Sequence, residues 1–238
     1  MPTLLETLAS YVPAQVVRHM ARDRQPHLAP TADRFPAIVF FADISGFTAL
    51  TEQFARRGPS GAEDLTRLLN AYFGQLIELV IAHGGDIVRF AGDGLLAIWP
   101  VETDAEDTAT LTAWSTGTYS AVETQQVAPL TLAQTALYAA QCGLAVQPTL
   151  RNVAEAEGVR LSLKISIGAG EIVAGHLGGV YSRWEFLVAG DPLVQMSLAE
   201  KAARPGQVVL SPEAWKLVRP VCDGQRLSEQ AICLDIPR

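Results

Sequence analysis

Ala37-Ile38-Val39-Phe40-Phe41-Ala42-Asp43-Ile44-Ser45-Gly46-Phe47-Thr48 runs from an unbroken apolar segment into a carboxylate and then a glycine. An apolar run of strand length without alternation suits a central strand buried on both faces. Asp43 stands immediately after it, and Gly46 marks a turn into a helix. Such an aspartate has two readings. It caps the following helix, or it holds Mg²⁺ while the N–H groups of residues 45–48 face phosphate oxygens.

Downstream, Ser60 reads as the cap of a long helix in which Leu65, Leu68, Leu69, Tyr72, Phe73, Leu76 and Val80 keep a 3.6-residue period, stopped by Gly84-Gly85. Ile87 to Phe90 and Leu95 to Trp99 then form two short strands, joined by the tight hairpin Ala91-Gly92-Asp93-Gly94. Alone, Asp93 is a turn residue. Two aspartates at the ends of adjacent central strands are different: palm-like folds hold two Mg²⁺ ions that way for phosphoryl or nucleotidyl transfer.

The rest of the chain fills in the pattern. Residues 1–35 read as an N-terminal helical arm (Leu4, Leu5, Leu8, Val12, Val16, Val17) ending among Pro26, Pro30 and Pro36. Residues 36–220 form the domain, with 101–129 a loop or insertion, and 221–238 a tail that packs on the domain or leaves it. A helix is expected over 130–147, then strand Leu161 to Ile167, a glycine-rich turn and strand Glu185 to Ala189. A helix follows with Asp191 at its cap and Pro192 in its first turn, and Gln207 to Leu210 is a last core strand. The order predicts one α+β domain on a ferredoxin-like βαββαβ sheet, without internal repeats.

Composition bounds the function. The 238 residues are 49% apolar and 18% charged, enough for a well-filled core. A net charge of -7 without a basic block argues against nucleic acid. Cys142, Cys222 and Cys233 match no zinc spacing and read as reduced thiols of a cytoplasmic protein. The stretch from Thr124 to Leu150 carries no charge, but Pro129, Pro148, Gln134, Gln141 and Gln147 make it an amphipathic helix, not a membrane span.

Phe-Ala-Asp-Ile-Ser-Gly-Phe-Thr-Ala-Leu-Thr-Glu (41–52) and Gly-Gly-Asp-Ile-Val-Arg-Phe-Ala-Gly-Asp-Gly-Leu-Leu-Ala-Ile-Trp (84–99) resemble class III nucleotidyl cyclases, closest to the first catalytic half of soluble adenylyl cyclases. The likeness continues through residues 164–170 and 186–190 and loosely covers 37–212. It implies that Asp43 and Asp93 hold two Mg²⁺ (or Mn²⁺), with the Ile44 carbonyl on the second ion. Ser45, Gly46, Phe47 and Thr48 would cradle the triphosphate of ATP, and Lys164 would bind its phosphates.

The departures imply as much. The family's base-reading position, transition-state Asn and transition-state Arg fall at Val188, Gln195 and Ala199, none of which supplies the needed group. The purine-selecting lysine falls at Arg89. The bicarbonate pair of the soluble enzymes falls at Arg89 and Ser197, so one partner is altered and the other lost; Arg89 also has a structural reading, pairing with Asp86 or the C-terminal carbonyls of a helix. The resemblance therefore implies an adenylyl cyclase half that needs a second cyclase domain, in cis or trans, and makes a feeble homodimer. An apolar partner face is expected near Phe47, Phe90, Val188 and Met196. The alternative is a catalytically silent nucleotide-binding module. A diguanylate cyclase is set aside, because Gly84-Gly85-Asp86 precedes the strand and does not form the hairpin turn.

Overall fold

The computed structural model describes residues 11–22, 29–101, 130–156 and 161–235, together with Leu4 and Thr7. Helix α1 (Ala14–Arg22) precedes strand β1 (Thr31–Ser45), followed by α2 (Phe47–Ala55) and α3 (Pro59–Ala82). Then come β2 (Asp86–Ala91), β3 (Gly94–Pro100), α4 (Leu132–Ala156), β4 (Ser162–Gly178), β5 (Trp184–Ala189) and α5 (Asp191–Ala202). Strand β6 (Val208–Leu210), α6 (Pro212–Val218), β7 (Gly224–Ser228) and β8 (Ala231–Leu234) complete the chain. The expected loop or insertion lies outside the described residues, apart from Val101.

The sheet runs β2-β3-β1-β4-β6-β8-β7, with β5 pairing β4 beyond β6. Its first four strands give the antiparallel core of the βαββαβ expectation, so the α+β reading holds. The strand reaches back to Thr31, five residues before the expected domain start at 36. Pro36 is tolerated inside it because β3 pairs only from Ala37 onward. The Pro36 carbonyl still accepts the Val101 N–H at 2.9 Å, just past the end of the β1–β3 ladder. Residues 207–210 are not the last strand: β8 pairs β6, drawing part of the expected tail into the sheet.

Alternation along β1 divides the core. Ile38, Phe40, Ala42 and Ile44 pack with Leu68, Tyr72, Leu76 and Val80 of α3 and with α4 on one face. Ala37 and Val39 pack with Val88, Ile98, Ile172 and Met196 on the other, which α5 covers. Helix α3 opens on Gly58 with Pro59 in its first turn, so Ser60 is not the cap; its hydroxyl donates to the Arg57 carbonyl. At the other end the Trp99 indole donates to the His83 carbonyl at 2.7 Å, pinning α3 to β3. Helix α4 runs to Ala156 with Pro148 inside it, longer than expected.

Strand β4 runs on through Gly168 and Gly170, so the glycine-rich turn expected after Ile167 falls at Gly178-Gly179. A Cβ on Gly168 would stand 2.1 Å from the Pro192 carbonyl oxygen, so the missing side chain is what lets α5 lie against β4. Helix α5 is capped by Gly190, and Asp191 lies in its first turn instead of at its cap.

Candidate functional site

Two strand ends build the site. Asp43 pairs with Gly94 across the β1–β3 ladder and with Lys164 across the β1–β4 ladder. Because Asp93 adjoins Gly94 in the two-residue turn between β2 and β3, the register brings both aspartates to one end of the sheet. Asp43 lies inside β1, not just after it, and alternation sets it on the face of Val39 and Phe41. Asp43 does not cap the next helix: α2 starts at Gly46 without a side-chain cap.

Gly46 takes φ 90°, a left-handed conformation that strains any residue with a Cβ, and it reverses the chain from β1 into α2. The first turn of α2 closes with the Leu50 N–H on the Gly46 carbonyl at 3.0 Å. This leaves the N–H groups of Phe47, Thr48 and Ala49 without intrahelical acceptors. Ser45 Oγ is buried and lacks a partner. Phe47 tucks against the helical side of the core, while Gly46 and Thr48 are exposed. An exposed helix start with unpaired N–H groups beside a carboxylate suits an anionic ligand that carries its own cation.

Lys164 is engaged within the protein. Its Nζ lies 2.8 Å from Asp43 Oδ2 and 2.5 Å from Glu200 Oε1 on α5. All three side chains are about a quarter exposed. Burial pulls the Lys164 pKa down, but the Asp43 and Glu200 carboxylates more than offset this and leave it raised. Glu200 gave no sequence signal, since 36 residues separate it from Lys164 and only the packing of α5 over β4 joins them.

The donor set fits a hard divalent cation: two carboxylates and a main-chain carbonyl are the oxygen ligands that Mg²⁺ and Mn²⁺ take. The structure supplies its own stand-in, since the Lys164 ammonium already sits on Asp43 Oδ2. Among the described residues no three His, Cys, Asp or Glu side chains converge, so the candidate is a two-carboxylate site.

Arg89 pairs across the ladder with Leu96, beside a bulge, and is exposed. It does not pair with Asp86. The Asp86 oxygens accept the Ala14 and Gln15 N–H groups at 2.7 and 2.9 Å, fastening the start of α1 to β2. Val188 is half-buried with Phe186 and Leu193 against Met196.

The positions read as lacking transition-state groups need correction. Gln195 Oε1 accepts from the Ala169 N–H and the Ser211 hydroxyl, both at 3.1 Å, and Ala199 is 0% exposed beside Val209 and Ala231. Both turn into the domain, so neither reaches toward a partner. The outward positions one residue earlier are Val194 and Leu198, 60% and 38% exposed, and Ser197 is exposed as well. The expected partner face is also divided. Phe47 lies on the helical side and Phe90 stacks edge-on against Phe73, while Val188 and Met196 belong to the opposite face.

Among the described residues no helix is long and apolar enough to cross a membrane. Residues 32–231 match the adenylate and guanylate cyclase catalytic domain family. The chain is 33% identical over 204 residues to adenylate cyclase type 10 of Oryctolagus cuniculus, covering 84% of this chain and 11% of that protein. It is 30% identical over 228 residues to the Homo sapiens adenylate cyclase type 10, covering 94% of this chain and 12% of that protein. The chain thus spans about a tenth of the length of these curated relatives. The crystal structure of the adenylyl cyclase CyaB from P. aeruginosa superposes with a TM-score of 0.65 at 23% identity, over 87% of this chain and 97% of that one, a likeness of fold.

Proposed function

This chain belongs to the adenylate and guanylate cyclase catalytic domain family, and from that premise we propose that it is the metal-holding half of an adenylyl cyclase. It would turn ATP into cyclic AMP and pyrophosphate together with a complementary second domain, supplied in cis or in trans. The observation that supports this most is the register that sets Asp93 beside Gly94, the ladder partner of Asp43. A scaffold alone gives no reason to converge two carboxylates at a partly open strand end.

In the reaction the ribose 3′-oxygen bonds to the α-phosphorus, the bond to pyrophosphate breaks, and the hydroxyl proton leaves. Asp43, the Ile44 carbonyl and Asp93 would hold two Mg²⁺ or Mn²⁺ ions, which when bound lower the pKa of that hydroxyl and neutralise phosphate oxygens. The free N–H groups at the start of α2 would orient the triphosphate. Lys164 would reach its oxygens once released from Asp43. Charge developing on the α-phosphate needs donors, and the outward-facing Val194 and Leu198 of α5 offer none. The second domain would supply them. The free cysteines suit a reducing compartment, and we place the protein in the cytoplasm.

The same outward Val194 and Leu198 favour a second reading, a silent module that binds nucleotide and regulates a partner. Cyclic AMP assays with Mn²⁺ and ATP, with and without a second domain bearing the missing Asn and Arg, separate the two. Metal-dependent ATP binding with no turnover in any mixture would replace the enzyme reading with the silent one.

A further inference from the structure

A permanent positive charge already occupies the oxygen at which a metal would bind. Lys164 Nζ lies 2.8 Å from Asp43 Oδ2, and its second carboxylate, Glu200, comes from a different element at 2.5 Å. An ammonium has three donors, so it can surrender one carboxylate and stay paired with the other. Without Glu200, metal entry at Asp43 would leave Lys164 unpaired where burial disfavours its charge.

We propose that Lys164 is an internal counter-cation that closes the Asp43 metal site, and that Glu200 is the positioning residue that retains Lys164 when a divalent ion displaces it. This rests on the metal-holding reading of Asp43. One consequence is coupling. A triphosphate gives Lys164 new oxygens, so triphosphate and metal each favour binding of the other, and the coupling is reciprocal. The protein would thereby keep its metal site closed until nucleotide arrives.

The test is Mn²⁺ titration of the full chain without nucleotide, reading free Mn²⁺ by electron paramagnetic resonance. The proteins are wild type, Asp43→Asn, Lys164→Met, Glu200→Gln and the Lys164→Met/Glu200→Gln double variant, each checked for fold by circular dichroism. Methionine keeps most of the buried stem of Lys164 while removing its charge. Asp43→Asn should lose Mn²⁺ binding. Lys164→Met should tighten it about fivefold, the scale of a partly exposed ion pair, and Glu200→Gln should weaken it. In the Lys164→Met background the Glu200→Gln effect should shrink by at least half, because Glu200 acts through Lys164. Adding a non-hydrolysable triphosphate should tighten Mn²⁺ binding in wild type more than in Lys164→Met.

Loss in Asp43→Asn with no gain in Lys164→Met overturns this inference alone, as does a Glu200→Gln effect of equal size in both backgrounds. Wild-type Mn²⁺ binding by Asp43→Asn overturns the metal reading and this inference together.

Discussion

Asp43 faces Gly94 across the β1–β3 ladder, which places Asp93 one residue from Asp43's direct partner. The two aspartates are 50 residues apart in sequence, yet a single pairing register brings them to one end of the sheet. A one-residue slip would turn Asp43 onto the face covered by α3 and α4.

Asp43→Ala and Asp93→Ala should therefore each abolish Mn²⁺- or Mg²⁺-dependent ATP binding. Both side chains are partly exposed, so stability should move by no more than about 1 kcal/mol. Calorimetric titration of ATP with metal, alongside thermal melts, checks this. Unchanged affinity in both variants would remove the metal assignment.

The isolated chain should produce cyclic AMP at least about 10²- to 10³-fold more slowly than a mixture with a complete second domain, the scale of a lost transition-state donor. Val194 and Leu198, which face outward on α5, can donate no hydrogen bond. Initial rates proportional to chain concentration and as fast as the mixture would sink the half-domain reading.

Discrimination between ATP and GTP should be weak in the isolated chain. Val188 is half-buried among apolar neighbours and presents no polar group to a purine edge. Competition binding with Mn²⁺ decides the matter. A preference of about a thousandfold, beyond what apolar contact provides, would mean that the exposed Arg89 or another residue reads the base.

Restoring an arginine at position 199 should fail. Ala199 has no exposed surface, so Ala199→Arg would place an unpaired charge between α5 and the β6–β8 pair. The expected cost is about 3–5 kcal/mol, without gain of cyclase activity. Urea unfolding measures it, and a variant as stable as wild type would show that this part of α5 faces solvent.

Cys142 should resist alkylation in the native protein. Burial pushes its thiol up to about 12, and its Sγ contacts the Leu79 carbonyl at 3.8 Å. At pH 8 roughly one such thiol in ten thousand is ionised, against about one in four for an unperturbed cysteine, and only thiolate reacts. Labelling followed by peptide mass analysis should find Cys142 modified only as fast as the protein unfolds. Rapid native labelling would contradict its place between α4 and α3.

Local chemistry in the sequence determined the strand 37–42, the helix after Ser60, the β2–β3 hairpin and the start signal of α5. Each is written in a short window, by apolar periodicity or by turn residues. Both aspartates were legible for the same reason, since each sits at the boundary of such an element. What the sequence could not express is whatever depends on which surface meets which. Gly168 and Gly170 look like part of a turn until α5 is laid over them, and then Gly168 is a strand residue that makes room for the Pro192 carbonyl. Gln195 and Ala199 look available until the roll of α5 buries Ala199 and leaves Val194 and Leu198 outside. Lys164 reads as a waiting phosphate ligand until packing brings Glu200 to its far side. Side-chain direction on a packed helix follows from the rotation of the whole element against the sheet, and that rotation is set by distant contacts that no local window contains.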